Sequence, residues 1–146
     1  MAFITTKGRY AIRVLIDLSE NRERGCIPLK EIAERQEISQ KYLESIMALL
    51  VKAEVVAGTH GKGGGYQLII PPEECSVGMV LRVTEGPVTP VACIGEDGVH
   101  CDRAGTCKTL PLWLKLDNMI NEYLDTITIK DLLDGSGTHG NIIVPQ

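Results

Sequence analysis

Aromatic side chains are scarce in this chain of 146 residues: Trp113, Phe3 and four tyrosines make up 4% of it. A core with so few large rings must rest on Leu, Ile, Val and Ala, a set that favours helices. Basic charge is also short, since 15 Lys and Arg stand against 19 Asp and Glu for a net charge of −4. Proteins that hold nucleic acid usually carry a basic footprint, so the overall balance argues against such a partner. No apolar run approaches the roughly 20 residues that cross a bilayer, which excludes a membrane-spanning helix. The opening Met1 to Lys7 lacks the basic flank and apolar block of a secretory signal, so a cytoplasmic protein without a membrane partner is expected. Five cysteines are an odd number, and a reducing cytosol disfavours a disulfide framework. They read as ligands or redox groups.

What is present is ordinary globular composition, 44% hydrophobic and 23% charged, enough for one domain or a small domain with an appendage. The charge is divided unevenly. Residues 1–66 carry ten Lys and Arg against eight Asp and Glu, net +2, and residues 67–146 carry five against eleven, net −6. Any face that binds an anion therefore belongs to the N-terminal half.

Helical spacing of Tyr10, Ala11, Val14, Leu15 and Leu18 predicts a first helix that ends near Asn21 to Gly25. Pro28 suits a first helical turn, and Leu29, Ile32 and Ala33 mark the buried side of a short second helix to about Arg35. Ser39 supplies an N-cap hydroxyl for a third helix, with Leu43, Ile46, Met47 and Leu50 as its apolar stripe. Val55 to Thr59 and Tyr66 to Ile70 read as two strands joined by the glycine-rich, basic tip His60 to Gly65. Ser76 caps a fourth helix that Glu85-Gly86-Pro87 stops. Val88 to Thr106 has no periodicity but holds Cys93 and Cys101, with Cys107 next in the chain, which marks a loop that needs a ligand to order it. From about Leu110 to Thr126, Leu112, Leu116, Met119, Ile120, Tyr123 and Ile127, widened by Trp113 and Leu124, form a stripe broad enough for a subunit interface. Residues 134–146 are expected to be a mobile tail apart from Ile142-Ile143-Val144.

Two constellations carry function. Helix, short turn, helix and hairpin over Pro28 to Ile70 make a winged helix-turn-helix pattern, whose second helix enters the DNA major groove. Gln40, Lys41, Glu44 and Ser45 fall off its apolar stripe at the N-terminal end, where base edges are reached. Gln40 suits adenine, Lys41 guanine or phosphate, and Glu44 the cytosine amino group. His60 and Lys62 at the hairpin tip suit the minor groove or backbone. A merely solvated helix face with a hairpin that merely turns is the plain alternative. The glycines do not form a nucleotide-binding loop, because only two residues separate Gly58 from Gly61-Lys62 and Gly63 replaces the hydroxyl residue.

The second constellation is Cys93-x7-Cys101-x5-Cys107. Three thiols in one loop suit an iron-sulfur cluster. Zinc, which favours a tight Cys-x2-Cys pair, and unliganded redox thiols are the alternatives. Cys26 and Cys75 read as packing residues, since free Cys buries readily.

These residues resemble the Rrf2 family of bacterial transcription regulators. The likeness rests on Thr6-Lys7-Gly8-Arg9-Tyr10-Ala11, Leu29 to Gln36, Ser39-Gln40-Lys41-Tyr42-Leu43-Glu44, Gly63-Gly64-Gly65-Tyr66, Glu85-Gly86-Pro87, the three loop cysteines and Leu112-Trp113. It spans about residues 1–133 and is closest to the family's iron-sulfur regulators. The resemblance implies a homodimer joined through the long C-terminal helix, bound to double-stranded operator DNA, with a [2Fe-2S] cluster on Cys93, Cys101 and Cys107. In such members a His three residues after the third Cys completes the cluster, a position held here by Leu110. His100, Lys108, a carboxylate or a residue of the partner subunit are the substitutes. The acidic residue that nitric-oxide-sensing members use before the first Tyr is replaced by Arg9, and the Gly many relatives place between the second and third helices by Glu37.

The expected fold is mainly α within the α+β class: a winged helix-turn-helix with a long C-terminal dimerisation helix. Residues 1–72 form the DNA-binding region, with Lys7, Ser39, Gln40, Lys41, Tyr42, Glu44, Ser45, His60 and Lys62 as its contacts. Residues 73–133 hold the cluster loop and dimer helix. The expected function is that of a repressor or dual regulator that senses cluster or redox status and controls iron-sulfur biogenesis genes; it is not an enzyme. A cluster-free repressor of cysteine metabolism and a small iron-sulfur electron-transfer protein are the alternatives.

Overall fold

A computed structural model describes residues 3–135, so most of the expected tail lies outside the described residues. The predicted elements are present in the predicted order. Helix α1 (Thr6–Glu20) buries Ala11, Val14, Leu15 and Leu18, the spacing of one helical face. Helices α2 (Leu29–Gln36) and α3 (Gln40–Lys52) close over it through Ile32, Leu43, Ile46, Met47 and Leu50. Pro28 stands at the cap of α2, one position earlier than expected, and Ser39 caps α3 by accepting from the Tyr42 N–H at 3.1 Å.

The turn between α2 and α3 is left-handed at Glu37, with φ 54° and ψ 45°. That conformation lets the Ile38 N–H reach back to the Ala33 carbonyl at 3.1 Å and drops Ile38 into the core. A non-glycine residue there costs about 1 kcal/mol.

Strands β1 (Val56–Thr59) and β2 (Gly65–Leu68) pair antiparallel, Val56 opposite Leu68 and Thr59 opposite Gly65. Ile27 adds a third rung, exchanging two 2.8 Å hydrogen bonds with Tyr66. A Cβ on Gly65 would overlap the Ile27 carbonyl, so this close approach requires glycine.

Helix α4 (Val77–Glu85) lies along α1. Two motifs distant in sequence meet there. The Glu85 carboxylate accepts from the Thr5 N–H at 2.5 Å and the Gly8 N–H at 3.1 Å, satisfying donors that the N-terminus of α1 leaves free. A Cβ on Gly8 would collide with that carboxylate and with Leu81. Cys75, Val80 and Ile129 join the main core, while Val77, Leu81, Val88 and Ile127 form a second cluster.

The segment read as an unpatterned loop contains a small hairpin, β3 (Ile94–Gly95) and β4 (Gly98–Val99). Helix α5 (Leu110–Thr126) follows, then a short α6 (Ile129–Leu133) capped by Thr128 and Asp131. No residue of α5 is buried. Its apolar stripe splits in two: Ile120 and Leu124 pack on the second cluster, whereas Leu112, Leu116, Met119 and Tyr123 remain 36 to 58% exposed.

A buried ion pair fixes α1 against α2. Asp17 is 1% exposed and accepts from Arg35 at 2.7 and 2.9 Å and from the Gln36 amide at 2.9 Å. Arg35 also reaches Glu31 at 2.9 Å, and Glu31 pairs with Arg24. Hydrogen bonds from Arg24 and then Arg35 hold the Glu31 carboxyl down to about 2.

Candidate nucleic-acid interface and cysteine loop

Helix α3 and the β1–β2 wing enclose a groove of about 620 Å³. Gln40 and Glu44, one helical turn apart on α3, line one side, and Thr59, His60 and Gly61 line the other. This brings three of the sequence-predicted residues together: Gln40, Glu44 and His60. Lys41 and Lys62 are exposed beside the groove, and Lys7 is half-buried in the first turn of α1.

Other predicted contacts have structural duties as well. Ser39 spends its hydroxyl on the α3 cap, and Ser45 donates to the Tyr42 carbonyl at 2.6 Å. Tyr42 packs edge-on against Tyr10, centroids 5.9 Å apart, and the Arg13 guanidinium lies over the Tyr10 ring. Arg13 also donates to the Gln36 side chain at 3.1 Å and to the Gln36 carbonyl. Tyr10, Arg13 and Tyr42 thus brace the start of α3 against α1 and the left-handed turn. Lys30 lines the groove and was missed by the sequence reading. Its position on the polar face of α2 was the available signal.

Cys26 departs from expectation. It is half-buried beside the wing, its thiol 3.6 Å from the Thr59 hydroxyl, while its neighbour Ile27 takes the core position. Cys75 is fully buried as expected, and burial pushes its thiol up to about 11.

The loop cysteines are accessible by comparison, Cys93 and Cys107 half-buried and Cys101 exposed. Pairing of Ile94 with Val99 continues into a 2.7 Å hydrogen bond from the His100 N–H to the Cys93 carbonyl, so the backbone of Cys93 lies beside that of His100-Cys101. Turns at Cys101 to Ala104 and Arg103 to Thr106 carry the chain back toward Cys107. Cys107 shares a 3.2 Å hydrogen bond with the Thr109 hydroxyl. That bond, helped by the backbone at Thr109 and Leu110, lowers the thiol below its ordinary value. His100 is exposed, its ring packed over Gly95. Among the described residues no three His, Cys, Asp or Glu side chains converge on one point.

Residues 4–135 match the Rrf2 model, described as an iron-dependent transcriptional regulator. The chain belongs to the Rrf2 family. This Rrf2 protein is 39% identical over 130 residues to the HTH-type transcriptional regulator IscR of Aliivibrio salmonicida, an alignment covering 89% of this chain and 76% of the relative. Among solved structures it resembles T. potens IscR, at TM-score 0.73 and 33% identity over 98% of this chain and 93% of that one. It equally resembles CymR, the global cysteine regulator of B. subtilis, at TM-score 0.74 and 34% identity over 93% of this chain and 99% of that one. It is a transcriptional regulator and not an enzyme, and the helical fold with a small antiparallel wing is a winged helix. Among the described residues no helix is long and apolar enough to cross a membrane.

Proposed function

We propose that this Rrf2 protein is a cytoplasmic, homodimeric, iron-sulfur-dependent repressor or dual regulator that binds operator DNA and controls genes for iron-sulfur cluster biogenesis. The observation that carries the reading is the position of the three-cysteine loop. It leaves the end of α4, which grips α1 of the DNA-binding half, and returns into the N-terminus of α5.

The donor chemistry fits a cluster. Cys93 and Cys101 lie on adjoining backbone segments, and the third thiol, Cys107, is shifted toward the thiolate that binds iron. Cys93, Cys101 and Cys107 would hold the group, with His100, Lys108, a carboxylate or a residue of the partner subunit in the fourth place. A bound [2Fe-2S] group supplies a redox- and iron-responsive cross-link within the loop. The exposed row Leu112, Leu116, Met119 and Tyr123 supports the dimer, because that much apolar surface on one helix favours burial against a second copy. Residues 1–72 read DNA, with Gln40 and Glu44 at base edges, and residues 73–133 hold the loop and the partner. Ordering the loop biases the separation of the two α3 helices, which must match half-sites about one DNA turn apart.

A second reading, a cluster-free repressor of cysteine metabolism, is favoured by the comparable likeness to CymR and by Leu110 at the family His position. Replacing Cys101 with Ala separates the two. Under the cluster reading, the anaerobically purified variant loses iron and changes its affinity for an operator selected from random duplexes. Wild-type protein and variant with equal iron and equal affinity would defeat it.

A further inference from the structure

The two ends of the cysteine loop are held at different heights on α5. Cys107 and Thr109 lead directly into its N-terminus, whereas the carbonyl of Val88, at the loop's root, accepts from the Asn121 side-chain amide at 2.9 Å. Twelve residues separate Thr109 from Asn121, about 18 Å of helix. The loop therefore spans two fixed points along one rigid rod.

Asn121 has a further partner. Its oxygen accepts from the Arg82 guanidinium at 3.3 Å, and Arg82 also pairs with Asp125. Among the described residues, these are the polar contacts α5 side chains make with other elements. Arg82 sits on α4, three residues before Glu85, and Glu85 holds the N-terminus of α1. One amide thus joins the loop root, the long helix and the helix that grips the DNA-binding half. A cavity of about 200 Å³ lies beside it, lined by Arg82, Val88, Thr89, Gly95 and Asn121 among others. Close-packed junctions transmit strain but resist repacking. This solvent-open space at the junction gives the amide and guanidinium room for a second arrangement, which a switch requires.

The geometry points to Asn121, backed by Arg82, as the positioning residue through which the state of the cysteine loop reaches the DNA-binding half. This rests on the proposed loop-to-DNA coupling and names its route. Asn121 bonds none of the loop cysteines and lies outside the groove between α3 and the wing. It acts by tying the Val88 carbonyl to Arg82, so that a shift at the loop root is passed to α4.

The test uses Asn121→Asp, which keeps an oxygen for Arg82 but removes the donor to Val88, with Arg82→Gln as a second variant that breaks the other side should the first fail to fold. Operator affinity is measured for iron-loaded and cluster-free forms of each full-length protein, together with iron content and hydrogen exchange across α4. In wild type the two forms should differ about 5- to 150-fold, the ordinary range of allosteric coupling. In either variant the ratio should fall to within about twofold of one, with iron content unchanged and the loading-dependent exchange difference in α4 lost. A purely structural role would alter stability and leave the ratio in place. Variants that load iron and keep the wild-type ratio overturn the route. A wild-type ratio of one overturns the coupling reading beneath it, and the route with it.

Discussion

Replacing Asp17 with Asn should destabilise the protein by about 2–3 kcal/mol. The carboxylate is 1% exposed and receives two hydrogen bonds from Arg35 and one from Gln36. Asn keeps the shape but offers a single oxygen, and its NH2 group then faces the guanidinium donors. Losing hydrogen bonds to a charged group costs about 1.5–3 kcal/mol, and breaking a fully buried pair about 3–5. The lower part of the combined range applies, because the Arg35 side chain is 35% exposed and can turn to water. With a urea slope of about 1–3 kcal/mol per molar, the unfolding midpoint should fall by about 0.7–3 M. Protein concentration must be held fixed, since a homodimer is proposed and the midpoint of an oligomer depends on concentration. Arg35→Met and the double variant close a mutant cycle, with an expected coupling of about 2 kcal/mol. A midpoint shift below about 0.3 M, or a coupling near zero, would refute the claim that this pair fixes α1 against α2.

Three further outcomes follow from single residues. Glu37→Gly should relieve the left-handed turn and raise stability by about 1 kcal/mol, seen as a melting temperature higher by about 3 °C. Gly8→Ala should cost about 1–3 kcal/mol through collision with Glu85 and Leu81, lowering the urea midpoint. The Glu31 carboxyl is held down to about 2 from an ordinary value of 4.5, so its pairing stabilises the fold above about pH 4.5 and that contribution is lost as pH falls toward 2. Wild type and Glu31→Gln should therefore differ most in stability above pH 5 and converge in acid; a constant difference across that range would be the contrary result.

Most of the helical framework was legible because its apolar residues recur at helical spacing, from Val14 and Leu15 in α1 to Ile46 and Leu50 in α3. Strands β3 and β4 were not, since two residues each leave no alternation to detect. The five residues of α6 are also too few for a period, though the cap pair Thr128 and Asp131 was a readable signal. The family resemblance, which expects Gly at position 37, hinted at the left-handed turn found at Glu37, whereas Glu54, at φ 59°, carried no such cue. Contacts between distant segments were beyond reach: nothing near Gly8 announces Glu85, and Asp17 on an otherwise apolar face gives no hint of Arg35. In the site, the polar side of α3 marked Gln40 and Glu44, but the bracing duties of Tyr42 and Arg13 emerge only when α1 and α3 are packed together. The cysteine spacing suggested a ligand loop but gave no sign that Asn121 ties its root to α5.

The central claim is that Cys93, Cys101 and Cys107 hold an iron-sulfur cluster. It is tested most directly by an optical spectrum with iron and acid-labile sulfide quantification on protein purified without oxygen. A visible chromophore with equal amounts of iron and sulfide, lost in Cys101→Ala, is the expected result. A colourless, iron-free protein that also fails to take up iron and sulfide on reconstitution would contradict it and leave the cluster-free regulator as the reading.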